Sequence, residues 1–397
     1  MTAGRARGFV RPAPLLLLSL GVLAWQFAFG LYRSVYNNFL VEVHGVRADQ
    51  LGVIESVREV PGLLTVVLVA AVAGVAPPAV AAGCCLLMAL GLILYPSAVG
   101  LGDLIVITLI FSTGFHLLFP PQNALVLHHA AAGKKGTWLG RIEGVGAGAS
   151  LLAMAAAALL VRALDFRGIF LLAGVAAGVA AAVFFLTPGP ARLAAGTGRP
   201  GLWREYASYY VLTLLQGSRR HFFLVFALYN LVEVHGVSTA TVAALPAVSG
   251  AATVATRPLL GRLADTLGEM TVLAWCFGLV ALVFTGYAFV HDLRLLYVLF
   301  VLDSVLTFEL VIVLHAYRVA DGSGVASALA GGSTVGHITG VLTPVGGGLL
   351  WRSAGPEATF LAGAAVCLAG LGYAVYCRAR SATPKSERTS EPSGGAP

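Results

Sequence analysis

Val41-Glu42-Val43-His44-Gly45-Val46 recurs letter for letter as Val232-Glu233-Val234-His235-Gly236-Val237, and this pair decides how the chain is organised. Each copy closes the first long apolar stretch of its half, with Tyr36-Asn37 shortly before one and Tyr229-Asn230 shortly before the other. Val126-Leu127-His128 and Val313-Leu314-His315 match in the same order at nearly the same offset. Two ordered matches about half a chain apart mark an internal duplication.

Working outward from the repeat, apolar runs punctuated by Gly, Pro and charge predict spans over 14–41, 49–75, 79–98, 103–128, 137–164 and 168–186 in the first half. The second half reads as 206–234, 239–264, 271–290, 293–316, 324–350 and 358–377. Six spans return the chain to the side on which it started, so the duplication is direct rather than inverted. The expected fold is therefore all-α and integral to the membrane, with 12 transmembrane helices as two pseudo-symmetric six-helix bundles. The expected domains are an N-terminal bundle over 1–187, a cytoplasmic linker over 188–205, a C-terminal bundle over 206–378 and a disordered cytoplasmic tail over 379–397. The basic start and the leucine run after it resemble a cleaved signal peptide, but the repeat makes this stretch the first span.

Composition agrees. The 397 residues are 58% hydrophobic and only 11% charged, against about 25% charged in an average soluble domain, and the mean hydropathy is +0.86. Long unbroken apolar runs exclude an outer-membrane barrel, whose strands alternate. The net charge of +7 does not indicate nucleic acid, because the cations fall between spans and at the tails. Nineteen of the 25 Lys and Arg lie outside the spans or at their ends. Arg47, Arg162, Arg167, Arg294 and Arg352 fall on one side and the other fourteen on the side of both termini. By the positive-inside rule the termini are expected in the cytoplasm, with the protein in the cell (inner or plasma) membrane. Of the five cysteines, four lie inside apolar runs and none forms a CxxC or His-spaced pattern, so they read as core packing with no metal.

Between spans 8 and 9 stands Gly261-Arg262-Leu263-Ala264-Asp265-Thr266-Leu267-Gly268-Glu269-Met270, with Leu273 three further on. This resembles the loop signature of the major facilitator superfamily, G-x-L-A-D-R-x-G-R-K-x-x-L. Thr266, Glu269 and Met270 stand where that signature is basic, and the equivalent first-half loop, 73–79, has no copy. The resemblance implies two bundles around a central cavity lined by helices 1, 4, 7 and 10, which rock to open that cavity to each side alternately. It also implies that Gly261, Asp265 and Gly268 belong to a cytoplasmic gate. Apart from the resemblance, an acidic residue at a helix end beside glycines also serves as a cap.

Charges at membrane depth cost about 2.5 to 3.5 kcal/mol on the insertion scale, so those inside spans must face a partner or a cavity. Arg219 and Arg220 lie near the middle of span 7, one turn after Gln216, and point about 100° apart. One reading has an arginine binding an anionic substrate group bidentately; the other has both neutralising buried carboxylates such as Asp303 or Glu309. Arg33 and Asn37 form one polar stripe on span 1 at i, i+4 spacing. His116 on span 4 and Asp303 on span 10 occupy matching places in the two halves. Arg33, Asn37, His116, Gln216, Arg219, Arg220 and Asp303 are thus the candidate substrate-binding set. On span 2, Glu55 reaches both Arg58 and Glu59, leaving a carboxylate that can carry a proton. With Arg141, Glu143 and Glu309 these form the candidate proton-coupling or ion-pair set.

The expected activity is secondary active transport of a small organic solute, anionic or zwitterionic, by alternating access with proton coupling. The expected partners are that solute, protons and the lipid bilayer, with no nucleic acid and no cofactor, and the protein is expected to act as a monomer. Drug or amphiphile efflux, and a non-transporting receptor or assembly factor on the same scaffold, are the competing readings. Neither HExxH, GxSxG nor a P-loop occurs, which argues against an enzyme or an ATP-driven pump.

Overall fold

The computed structural model describes residues 14–131, 133–193, 204–306, 308–320 and 324–382, and the described residues are almost wholly helical. The chain runs through α1 (Pro14–Asn38), α2 (Ala48–Leu63), α3 (Thr65–Ala71), α4 (Pro77–Leu94), α5 (Leu101–His129) and α6 (Lys135–Leu186). It continues through α7 (Ala207–Glu233), α8 (Thr239–Leu267), α9 (Glu269–Phe289), α10 (Leu293–Val305), α11 (Glu309–Val319) and α12 (Val325–Ala382). Most of the expected linker and tail, 194–203 and 383–397, lies outside the described residues.

Helix boundaries and membrane crossings do not coincide one to one. The 52 residues of α6 would extend about 78 Å as a single helix, far beyond a hydrocarbon core of about 30 Å. Its backbone leaves helical geometry at Asp165 (φ 52°, ψ −173°), whose Oδ1 accepts from the Gly168 backbone N–H at 3.0 Å and so caps the second helix. The 58 residues of α12 break likewise at Gly355 (φ 87°, ψ 174°), followed by Pro356 at the start of the next helix. Each of these elements is two crossings. Conversely, α2 with α3 and α10 with α11 are each one crossing interrupted partway. Among the described residues the crossings are therefore the twelve expected.

The repeated hexapeptide ends in the same cap in both places, although Phe39–Val43 is π-helical whereas the second copy continues the α-helix α7 to Glu233. Gly45 and Gly236 take the left-handed region at φ 57° and φ 62°, which costs glycine least because it has no Cβ. Nested bonds run from Gly45 N to Val41 O (3.0 Å) and from Val46 N to Leu40 O (3.0 Å), and from Gly236 N to Val232 O (3.0 Å) and Val237 N to Leu231 O (2.9 Å). They satisfy carbonyls that the helix ends would leave open.

The chain divides into two compact units, Met1–Phe39 with Pro61–Gly196, and Leu40–Val60 with Thr197–Pro397. In the first, α1 packs along α6 and α4 lies between α5 and α6. The contacts are close because small residues face each other: a Cβ on Gly30 would come within 2.7 Å of the Ala153 Cβ. Buried aromatics find polar partners, with Trp25 Nε1 donating to Gln122 Oε1 at 2.9 Å and the Tyr95 hydroxyl 2.9 Å from Thr108 Oγ1. Leu152, Leu159 and Phe185 of α6 are exposed, an apolar outer surface that suits lipid rather than water.

In the second unit α12 packs on α7 and α9, and α10 on α8. The first turns of α2 belong here because they lie along α12. Gly52 rests on the Pro344 backbone, and Arg352 Nη1 donates to Asp49 Oδ2 at 2.8 Å. Tyr229 Oη on α7 donates to the Val46 carbonyl at 3.0 Å. The cysteines are free thiols, four of them buried.

Candidate functional site at the break in the tenth span

Span 10 is interrupted between Val305, where α10 ends, and Glu309, where α11 begins. Broken backbone inside a membrane persists only where protein or cavity water satisfies it. Two carboxylates flank this break, and each takes one of the paired arginines of α7.

Asp303 occupies the last turn of α10, where the helix dipole disfavours an anion. Arg219 compensates it: Nη1 donates to Asp303 Oδ1 at 2.7 Å and Nε donates to Gln216 Oε1 at 2.9 Å. The guanidinium carbon also lies 5.1 Å from the centre of the Phe308 ring. Arg219 is only 2% exposed, so it is a committed, desolvated partner. The Gln216 amide nitrogen, buried beside it, has no hydrogen-bond partner among the described residues.

Glu309 starts α11, where the dipole favours an anion, and receives Arg220 Nη1 at 2.5 Å. This pair is open: the side chains are 54% and 45% exposed. Arg220 lies at the midpoint of the 27-residue α7, so a face turned to lipid would hold a charge in hydrocarbon. Exposure at that depth requires water.

A second group of buried charges sits where α2 meets α12. Arg58 Nε donates to Glu55 Oε2 at 2.8 Å, and its Nη2 lies 2.9 Å from Glu59 Oε1. The other Glu59 oxygen is 3.1 Å from Nδ1 of His337. Glu55, Arg58 and Glu59 are all buried.

The sequence matches the family model of the Major Facilitator Superfamily over residues 17–314 and 209–397. The chain belongs to the Major Facilitator Superfamily. Solved superfamily-fold structures agree along nearly the whole length. The nucleoside transporter NupG aligns with a TM-score of 0.76 at 13% identity, covering 94% of this chain and 100% of that one. The peptide transporter POT in complex with sulfate aligns at 0.74 and 14% identity, covering 94% and 96%. A bacterial homologue of the human lysosomal transporter Spinster, inward-facing and occupied, aligns at 0.69 and 12% identity, covering 92% and 94%. No curated protein matches the sequence.

The superfamily loop signature is the C-terminal turn of α8 and its junction with α9. Gly261 and Asp265 lie within α8, Asp265 exposed, and Gly268 turns the chain at φ 82° between the two helices. Glu269, where the signature has a basic residue, is buried. Its oxygens meet His315 Nδ1 at 3.1 Å and Arg318 Nη2 at 2.8 Å, while Ser208 Oγ lies 3.0 Å from His315 Nε2. One acidic residue thus ties α9 to α11, and through His315 to α7.

In the first unit Arg33 is half-buried and Asn37 buried. His116 bonds within its own helix, with Nδ1 3.1 Å from Ser112 Oγ and 3.2 Å from the Ser112 carbonyl. Arg141 and Glu143 are both exposed; the Arg141 guanidinium lies over the Trp138 ring at 5.1 Å, a neighbour one turn away rather than a carboxylate on another helix. His337, His315 and Glu269 escaped sequence reasoning. His337 stands alone in a Gly-rich stretch, while the mismatch of Glu269 with the signature was the available clue to the third.

Proposed function

We propose that this superfamily transporter carries a small organic solute bearing a negative charge, anionic or zwitterionic, by alternating access coupled to protons. The observation that carries the reading is the exposed Arg220–Glu309 pair at mid-span. A guanidinium that is charged at any working pH and open to water at that depth suits a carboxylate or phosphate group, which it grips with two parallel N–H donors. Glu309 can exchange its partner as the anion arrives, or hold the ammonium of a zwitterion. Arg219, locked to Asp303 and Gln216, sets the position of α7 beneath it. Arg33, Asn37 and His116 are the first-half residues proposed to meet the solute. The structural relatives are named for nucleoside and peptide, which belong to the same class of small polar solutes.

The proton is assigned to the Glu55–Arg58–Glu59 group, which holds two carboxylates against one arginine. The halves 1–187 and 206–378 are the proposed moving bodies, joined by 188–205, with Gly261, Asp265 and Gly268 at the cytoplasmic gate. Both termini are placed in the cytoplasm and the protein in the cell membrane, acting as a monomer.

Proteoliposome uptake of radiolabelled monocarboxylates, dicarboxylates, amino acids, phosphate esters and lipophilic cations, with and without an inward acid gradient, tests the reading. Gradient-stimulated uptake of at least one class is expected. Uptake confined to lipophilic cations would overturn it in favour of efflux.

A further inference from the structure

The first unit holds a block of aromatic rings that core packing does not use up. Trp25, Tyr32 and Phe111 are buried, but Phe29 of α1 and Phe115 and Phe119 of α5 are only partly covered. Phe29, Phe111 and Phe115 lie nearly parallel: Phe29 is 4.8 Å from Phe115 at 16° and 6.5 Å from Phe111 at 7°. Phe119 stands across them, 5.4 Å from Phe115 at 88° and 5.8 Å from Trp25 at 89°. Parallel faces beside a perpendicular wall form a corner in which a further planar ring makes one stacked and one edge-on contact, the two arrangements that aromatic pairs prefer.

The helix faces that carry this corner are polar rather than aliphatic. Arg33 follows Phe29 by one turn of α1, a spacing that sets Cβ atoms about 5–6 Å apart, and Gln26 precedes it by one turn. Asn123 follows Phe119 by one turn of α5. Arg33 and Gln26 are half-buried and Asn123 is exposed, whereas the outer surface of α6 shows Leu152 and Leu159. An arginine at membrane depth needs water or an anion, and among the described residues Arg33 has neither a hydrogen bond nor an ion pair. The corner therefore opens to water, with an uncommitted guanidinium at its edge. The duplication points the same way. Twelve residues before the first letter of the hexapeptide stands Phe29 in one copy and Arg220 in the other, so one half offers a ring where the other offers a charge.

We propose that the solute is an aromatic acid: a planar ring bearing a carboxylate or phosphate, zwitterions included. Its ring packs in the corner made by Phe29, Phe115 and Phe119, and its acidic group is met by Arg33 in this half as Arg220 meets it in the other. The inference rests on the reading that the solute carries a negative charge, and narrows that reading to a class. A saturated acid of the same size and charge keeps the guanidinium but loses both ring contacts, because its puckered ring has no π-face to stack and no polarised edge to present.

Three matched pairs of probes test the class: phenylalanine with cyclohexylalanine, phenyl phosphate with cyclohexyl phosphate, and benzoate with cyclohexanecarboxylate. Each pair shares its charged group and differs in the ring alone. Uptake by the full chain in proteoliposomes is measured against protein-free vesicles. The cyclohexyl member is the more apolar, so a site that selects by hydrophobicity would prefer it. At least fivefold faster uptake of the aromatic member is expected in one pair or more. Phe29→Leu and Phe115→Leu, at thermal stability matched to the unsubstituted chain, should each cut that ratio at least threefold, and Phe29→Tyr should keep it. Arg33→Gln should slow both members alike. Equal uptake within every pair that is carried, or a ratio untouched by both leucine variants, overturns the inference and leaves the anionic reading standing. Uptake of no acid, aromatic or saturated, overturns the anionic reading and this inference with it. The ratio is read first on the unsubstituted chain, so a variant that does not insert leaves the class decided, and Phe119→Leu then locates the ring by the same threefold criterion.

Discussion

Arg219 and Arg220 are neighbours in sequence with the same chemistry, and the structure sets them in opposite environments. Arg219 is sealed against Asp303 with 2% and 9% of the two side chains exposed, whereas Arg220 and Glu309 remain 54% and 45% exposed. The 100° turn between consecutive helical residues is enough to separate a buried ion pair from an exposed one. Burial decides the energetic meaning of each. Removing one member of a buried pair strands a charge and costs about 3–5 kcal/mol, while an exposed pair contributes about 0–1 kcal/mol.

The largest effect should follow from breaking the sealed pair. Asp303→Ala leaves Arg219 unpaired and is expected to lower the unfolding free energy in lipid by about 3–5 kcal/mol, read by denaturant or thermal unfolding. Replacing both as Arg219→Met with Asp303→Leu should recover most of that loss, because no charge is stranded. Next comes the crowded contact of α2 with α12. Gly52→Val drives a side chain into the Pro344 backbone and should cost about 1–3 kcal/mol, read by thermal unfolding.

The repeated caps sharpen the comparison at a smaller scale. Gly45→Ala and Gly236→Ala each force a Cβ into the left-handed region and should each cost about 1 kcal/mol. Among the described residues nothing lies within 4 Å of a Cβ built at either glycine, so the two losses should be equal; unequal values would show that the copies have diverged in context. Arg141→Gln, at an exposed residue whose neighbour is Trp138, should change stability by less than about 0.5 kcal/mol.

How much of this could be read in advance varies with the distance over which each feature is determined. The hexapeptide carries its own geometry, since Gly45 and Gly236 fall where a helix ends, so identical letters give identical caps. The spans are legible for the same local reason. The list of buried charges was also legible, because charge at membrane depth is conspicuous, and Asp303 and Glu309 were foreseen as partners. Which arginine takes which carboxylate was not, being fixed across 84 and 89 residues of chain. The Glu59–His337 contact spans 278 residues, and a lone histidine among glycines gives no hint of it. Nor do the interruptions of spans 2 and 10 announce themselves: Pro61 precedes the first by three residues, while the second has no proline at all. The second break matters most, for it sets Asp303 and Glu309 at helix ends of opposite polarity.

The central claim is that Arg220, not Arg219, meets the solute. The most direct measurement is uptake of the proposed anionic solutes into proteoliposomes by Arg220→Gln and Arg220→Lys, at matched reconstitution and matched thermal stability. Arg220→Gln should lose uptake at least tenfold while unfolding like the unsubstituted protein, and Arg220→Lys should recover part of it with weaker apparent affinity. Uptake by Arg220→Gln equal to that of the unsubstituted protein would contradict the account.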